Sequence, residues 1–336
     1  MSQTSREIVK AAINFQCPER LPVRMDCYNI SDIYSIPRAS YDKNENEIRT
    51  DEWGCIWEQT EEKNMGQVKG HLINDLSEVK SIKVPDYYHD WLYVDCEKFF
   101  KEAEKEKKYT QTGIFFVLFE RMQAIVGFEN ILMGLISDRE NAELLADKIA
   151  DAQIVIVREF QKRFGKRLDS FTMTDNWGTQ NAAFISSEMW YDIFFPRYKR
   201  IFDAMHEGGQ DVWVHSCGKI NEIVQGYIDA GVNVVNLQQP RALGIKDMGD
   251  RYQGKISFES LADIQATLPK NDENMIVDDA QELGKYWMSP EGGFIFSDYV
   301  DGEAIGADSE AKRKMYEAFS KVSEQIYGNS LPEIDV

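Results

Sequence analysis

The chain has 336 residues, with 38 Lys and Arg against 57 Asp and Glu, giving a formal net charge of −19. Such an excess of acid opposes the phosphate neutralisation on which sequence-independent nucleic-acid binding rests. The content of 43% hydrophobic and 28% charged residues is that of a folded protein rather than a disordered one, and no apolar run reaches the roughly 18 residues of a membrane-spanning helix.

The first residues lack the charged-then-apolar layout of a secretory signal. The five cysteines, Cys17, Cys27, Cys55, Cys96 and Cys217, are odd in number and contain no CxxC pair. Free thiols in a reducing compartment are the simplest account, so a cytoplasmic enzyme is expected. Along the chain, residues 21–25 form a first apolar strand. Residues 30–110 carry several aromatics without long periodic runs and read as an irregular insertion over one end of the fold. The alternating charges of 101–108 suit a solvated helix end. An apolar strand is expected at 114–119, a helix at 141–164 and a strand at 170–174 that ends on Asp175. Ser186 opens a helix that stops at Gly208-Gly209. Strands follow at 212–215, 232–237, 255–258 and 293–296, with helices at 220–230 and 311–326.

Strict alternation of strand and helix means parallel strands joined by crossover helices, and near-uniformly apolar strands mean a sheet covered on both faces. No strand is followed by GxGxxG or a P-loop. About eight strands can be counted, so the expected fold is α/β, a (β/α)8 TIM barrel forming a single domain over 1–336. Its active site belongs at the C-terminal strand ends.

The polar residues that end the apolar runs are therefore the candidates. In Val212-Trp213-Val214-His215-Ser216-Cys217-Gly218, residues two apart share a face, so His215 and Cys217 point the same way. Imidazole and thiolate are strong zinc donors, although a structural His beside a free Cys fits the same spacing. Asp175 suits a general base, a metal ligand, a fixer of His215 or a helix cap. Asn236, Gln238 and Gln239 offer amides to a substrate or to loop backbone. Glu259 and Asp298 end two later strands. His71, His89 and His206 read as surface residues, and Met122, Phe128 and Met133 as core.

Several segments together resemble the uroporphyrinogen decarboxylase-like superfamily. They are Arg20-Leu21-Pro22-Val23, Asp51-Glu52-Trp53-Gly54, Asp175-Asn176-Trp177-Gly178-Thr179-Gln180, His215-Ser216-Cys217-Gly218, Gln239-Pro240, Asp263-Ile264-Gln265 with Leu268-Pro269, and Gly292-Gly293-Phe294-Ile295. Within that superfamily the chain is similar to the cobalamin-dependent methyltransferases that pass methyl groups from a corrinoid protein to a thiol. The arginine pair with which the decarboxylases grip tetrapyrrole acetates has no match in Arg24-Met25-Asp26-Cys27-Tyr28-Asn29, and their late-strand histidine is replaced around Asp298-Tyr299. The resemblance thus implies a barrel methyltransferase using zinc and methylcobalamin carried by a partner protein. In that branch an HxC and a later Cys hold zinc. His215 and Cys217 match the first two positions, but the later Cys is absent from Ser297-Asp298-Tyr299-Val300-Asp301-Gly302. Asp298, or alternatively Glu259, is then the expected third ligand. Asp175 would orient the site, and Gln180, Asn236, Gln238 and Gln239 would hold the substrate. The alternatives are a metal-free decarboxylase or lyase using Asp175 as its acid and base, or a binding barrel without catalysis.

Overall fold

The computed structural model describes residues 2–41, 48–59 and 66–334. Eight strands run parallel around a nearly closed barrel: β1 (Val23–Met25), β2 (Ile33–Ile36), β3 (Tyr109–Ile114), β4 (Ser170–Thr174), β5 (Asp211–His215), β6 (Val234–Asn236), β7 (Ser257–Ser260) and β8 (Phe294–Ser297). Ladders join β2 to β3 and then each strand to the next through β8, which pairs back onto β1. At the seam between β1 and β2, the short strand Ile30–Ser31 runs antiparallel to β1. There the Asp32 amide donates to the Val23 carbonyl at 2.8 Å. The TIM-barrel expectation is correct.

Period-two alternation sorts the strand residues between barrel interior and helical shell. Ile33, Tyr109, Trp213, Val234 and Ile295 form one buried cluster with Val9 and Ile13. The last two belong to helix α1 (Ser5–Ile13), held at its start by a Thr4–Glu7 capping box. This cluster is an apolar floor that plugs the N-terminal end of the barrel. Two residues further along each strand the interior turns polar, with Gln111, His215, Asn236 and Ser297. That change of character, from floor to mouth, places the reactive groups at the C-terminal end.

One expected strand is displaced. The strand lies at Tyr109–Ile114, and the apolar run that follows is the turn into helix α2 (Phe119–Val126). Phe116 sits at φ 56°, in the left-handed region that no strand contains. The true strand reads as polar because Thr110, Gln111 and Thr112 are buried against partners such as Asp169 and Ser170. Met122 is core as expected, whereas Phe128 and Met133 are 39% and 59% exposed. His71, His89 and His206 lie at the surface.

The insertion between β2 and β3 carries a three-stranded antiparallel sheet (Ile48–Thr50, Ile56–Glu58, Gln67–Gly70). A buried polar knot ties it to the barrel. The Asp51 carboxylate accepts from the Trp53 and Cys55 amides, the Trp57 indole and, at 2.6 Å, the Arg121 guanidinium of α2. Arg121 is 2% exposed. Around the knot, Trp57 stacks on Phe116, with ring centroids 5.5 Å apart. No helix among the described residues is long and apolar enough to cross a membrane.

Removing one partner of a buried ion pair leaves the other uncompensated, at a cost of about 3–5 kcal/mol. Arg121→Met is therefore expected to lower unfolding free energy by about 3 kcal/mol in urea titrations. A loss below about 1 kcal/mol would show that the Asp51 knot does not fasten the insertion.

Candidate functional site

β5 carries Trp213 into the floor and His215 into the mouth. In the ladders, His215 lies level with Thr174 on one side and Asn236 on the other. Its Nδ1–H donates to Asn236 Oδ1 at 2.6 Å, which directs Nε2 towards Cys217 Sγ at 3.2 Å. Burial pulls the imidazole pKa down. The hydrogen bond and charge of Cys217, with Asn236 and Glu120 adding to them, outweigh that effect and raise it to about 9. The structure thus brings His215, Cys217 and Asn236 together.

Two glycines allow the loops that carry this pair to touch. Gly218 lies at φ +82°, and a Cβ there would stand 2.2 Å from the Gly178 carbonyl oxygen. A Cβ on Gly178 would stand 2.9 Å from the Lys219 amide nitrogen. Across this contact the Cys217 amide donates to Asn176 Oδ1 at 2.7 Å, the Trp177 amide to Ser216 Oγ at 3.1 Å, and the Lys219 amide to the Thr179 carbonyl at 2.8 Å. The Asp175–Gln180 and His215–Gly218 segments are therefore one zipped unit.

Asp175 takes the capping place among its possible roles. Fully buried, it accepts from the Phe119 and Glu120 amides at 2.8 and 2.6 Å, at the start of α2, and from the Tyr198 hydroxyl. Burial, and then the neighbouring Glu120, raise its pKa, while these donors oppose the rise. The imidazole of His215 bonds to Asn236 and Cys217 instead.

Glu120 is a residue that the sequence reasoning passed over. It is 8% exposed, and its Oε1 accepts from Asn176 Nδ2 at 2.7 Å. Its Oε2 is buried without a hydrogen-bond partner. Burial raises its pKa, and the Thr174 hydroxyl and then the charge of His215 oppose the rise. A signal was present: Glu120-Arg121 is a charged pair inside the apolar run 114–126, and buried charges need partners. Tyr299, half-buried, also feels the charge of Cys217, although burial is the larger cause of its raised pKa.

The expected third ligand needs correction. Asp298 is ion-paired to Lys312 at 3.0 Å and neighbours Cys27. Lys312 belongs to the last helix, Ser309–Tyr327, so Asp298 faces the shell and not the mouth. Ser297, one residue before it, takes the interior position. Glu259 is 4% exposed on β7, level with Asn236 and so two strands from His215. Among the described residues no three His, Cys, Asp or Glu side chains form a metal-ligand group. Gln239 Oε1 accepts from the Gly218 amide at 3.1 Å and from Gln180 Nε2 at 3.3 Å, so these two expected substrate amides brace the loop. Gln238 is half-buried, and its carbonyl accepts from the Ile264 amide.

The family model described as uroporphyrinogen decarboxylase (URO-D) matches residues 53–293, well over half of the chain. No curated protein matches. Among solved structures, a methyltransferase from Methanosarcina mazei is similar over 95% of this chain and 98% of its own, at 13% identity and a TM-score of 0.68. A D-psicose 3-epimerase solved in the presence of D-fructose aligns over 76% of this chain and 88% of its own, at 11% identity and a TM-score of 0.41. The first of these likenesses is one of fold.

A raised histidine pKa has a definite sign in pH dependence. The imidazolium gains its partner on folding, so its stabilisation is complete below the ordinary value of about 6.5 and is lost as pH rises through about 9. In metal-free protein the His215 ring nitrogens are expected to titrate near that upper value by nitrogen NMR, and Cys217→Ser is expected to bring the midpoint down. A wild-type midpoint at or below the ordinary histidine value would refute the paired imidazolium.

Proposed function

The chain belongs to the uroporphyrinogen decarboxylase family, and on that premise we propose that it is a methyltransferase with zinc at His215 and Cys217. It would move a methyl group between a corrinoid on a carrier protein and a thiol or other small nucleophile. The observation that carries this reading is the His215–Cys217 contact. Two donors of a tetrahedral zinc, at about 2.1 Å for nitrogen and 2.3 Å for sulfur, stand about 3.6 Å apart, and Nε2 and Sγ already lie at 3.2 Å. Asn236 takes the other ring nitrogen, as the orienting partner of a ligand histidine does. The solved methyltransferase that shares this barrel is named for the same class of reaction.

The residues present fit two donors of such a centre. Glu120 has a buried oxygen and a charge that acts on His215, and it would have to move towards the pair to supply a third donor, because no three such side chains meet there now among the described residues. Bound zinc would lower the pKa of a coordinated thiol and hold it as a nucleophile at neutral pH. The chain's own residues do the positioning. Asn236 fixes the imidazole plane, Asn176 links the Cys217 backbone to Glu120, and Gln239 braces the turn at Gly218. Asp175 holds α2 so that Glu120 stays at the mouth.

A second reading rests on the same contact. Without metal, His215 Nε2 stands within hydrogen-bond reach of the Cys217 sulfur, and the imidazole would take the thiol proton so that the sulfur itself is the nucleophile. Metal content separates the two readings. Under the zinc reading, elemental analysis gives about one zinc per chain, and His215→Ala and Cys217→Ser each lose it while keeping their circular dichroism. Methyl transfer from methylcobalamin to an added thiol falls with it. No zinc after purification without chelators, and no uptake on addition, would leave the ion-pair reading.

A further inference from the structure

One buried carboxylate in the barrel has no partner, and the chemistry of His215 and Cys217 does not use it. Glu259 on β7 is 4% exposed. Its backbone carbonyl accepts from the Leu237 amide at 2.9 Å, but its carboxylate has no hydrogen bond or ion pair with a described residue. Nor is that carboxylate sealed. The unpartnered side-chain atoms that are cut off from solvent include Ser297 Oγ but neither Glu259 oxygen, so the group keeps an open face.

The ladders fix where that face looks. Residues level with one another on neighbouring strands share a side of the sheet. His215, Asn236 and Glu259 are level on β5, β6 and β7, and Ile295, level with Glu259 on β8, belongs to the apolar floor. The row therefore faces the barrel interior. It has the reactive histidine at one end and an open carboxylate at the other, two strand spacings or about 10 Å away along the sheet. Two cations on the interior strands are turned elsewhere. His215 donates Nδ1–H to Asn236 Oδ1 and directs Nε2 to Cys217. Arg24, level with Ser297 on β8, donates to Gln111 Oε1 at 2.9 Å and to Ser35 Oγ at 3.3 Å, on the side of the barrel away from β7.

A carboxylate held at this depth without a counter-charge costs free energy unless a ligand supplies one. Among the described residues no group of three metal-donor side chains includes it. A primary ammonium brings its own N–H donors and needs only one carboxylate to bind, through a charge-assisted hydrogen bond. We propose that Glu259 anchors the primary ammonium group of a small substrate whose other end reacts at His215 and Cys217. The place of the reacting end rests on the function proposed above; the ammonium anchor does not.

Calorimetric titration of the full chain tests it with propylammonium and with three thiols that differ in their head group: cysteamine, 2-mercaptoethanol and 3-mercaptopropionate. Saturable binding of propylammonium is expected, and cysteamine is expected to bind about tenfold or more tighter than 2-mercaptoethanol, with 3-mercaptopropionate weakest. Glu259→Gln is expected to lose propylammonium binding and to bring cysteamine down to the level of 2-mercaptoethanol. Its thermal midpoint stays the same or rises, because the charge removed has no partner. Glu259→Asp, which keeps the charge, falls between. Cys217→Ser keeps wild-type propylammonium affinity, so failure of the zinc or thiol chemistry leaves this result standing. The anchor is overturned by no saturable propylammonium binding in the wild type, by equal affinity in Glu259→Gln, or by loss of zinc in Glu259→Gln with the preference for cysteamine intact.

Discussion

The arrangement at the barrel mouth depends on one buried carboxylate. Asp175 ends β4 and spends its oxygens on two amides at the start of α2 and on the Tyr198 hydroxyl. Helix N-termini present unpaired N–H groups and favour negative charge, and here that preference fixes where α2 begins. Two consecutive side chains then leave the helix in different directions. Glu120 reaches Asn176 and the neighbourhood of His215, and Arg121 reaches the Asp51 knot in the insertion. One strand-end carboxylate thus sets the mouth and the cover in register. Tyr198 extends the same network by accepting from the Trp177 indole at 2.9 Å, while Trp177 stacks on Phe119 with centroids 4.1 Å apart.

The second constraint is the absence of side chains where two loops meet. Gly178 and Gly218 let backbone touch backbone, and the amides of Cys217, Gly218 and Lys219 each find an acceptor across the junction or from Gln239. A loop with every amide committed is rigid, and rigidity matters for a donor pair. The alignment of His215 with Cys217 then comes from backbone geometry and not from long flexible side chains. The same economy explains why Gln180 and Gln239, attractive as substrate amides, are spent on bracing.

Much of this was legible in the sequence, for reasons that differ by element. The strands after 170 show themselves because their outward residues are apolar and their turns carry glycine. β3 hid because its polar residues are buried against Asp169 and Ser170, and the apolar run after it was a turn. His215 and Cys217 were legible because period two puts them on one face whatever surrounds them. Asp298 misled because a carboxylate directly after a strand can face either side. One residue of register gave the mouth to Ser297 and turned Asp298 towards Lys312. Glu120 was concealed by distance: about 95 residues separate it from His215, and only closure of the parallel barrel brings the two together.

The two readings of the centre are less separate than they look. The proton that Cys217 and Glu120 help to hold on His215 sits on Nε2, the nitrogen a metal would need. Asn236 serves either state, because it takes Nδ1–H in both. Under the zinc reading, metal and proton therefore compete for one position, between the His215 ring and the sulfur it contacts. Both occupants are positive, both are drawn by the same sulfur, and metal binding must expel the proton. Glu120 adds a buried carboxyl group to the same mouth, tied through Asn176 to the Cys217 backbone. Under the zinc reading the cation takes the point between His215 and Cys217, which the backbone junction at Gly178 and Gly218 already holds in place.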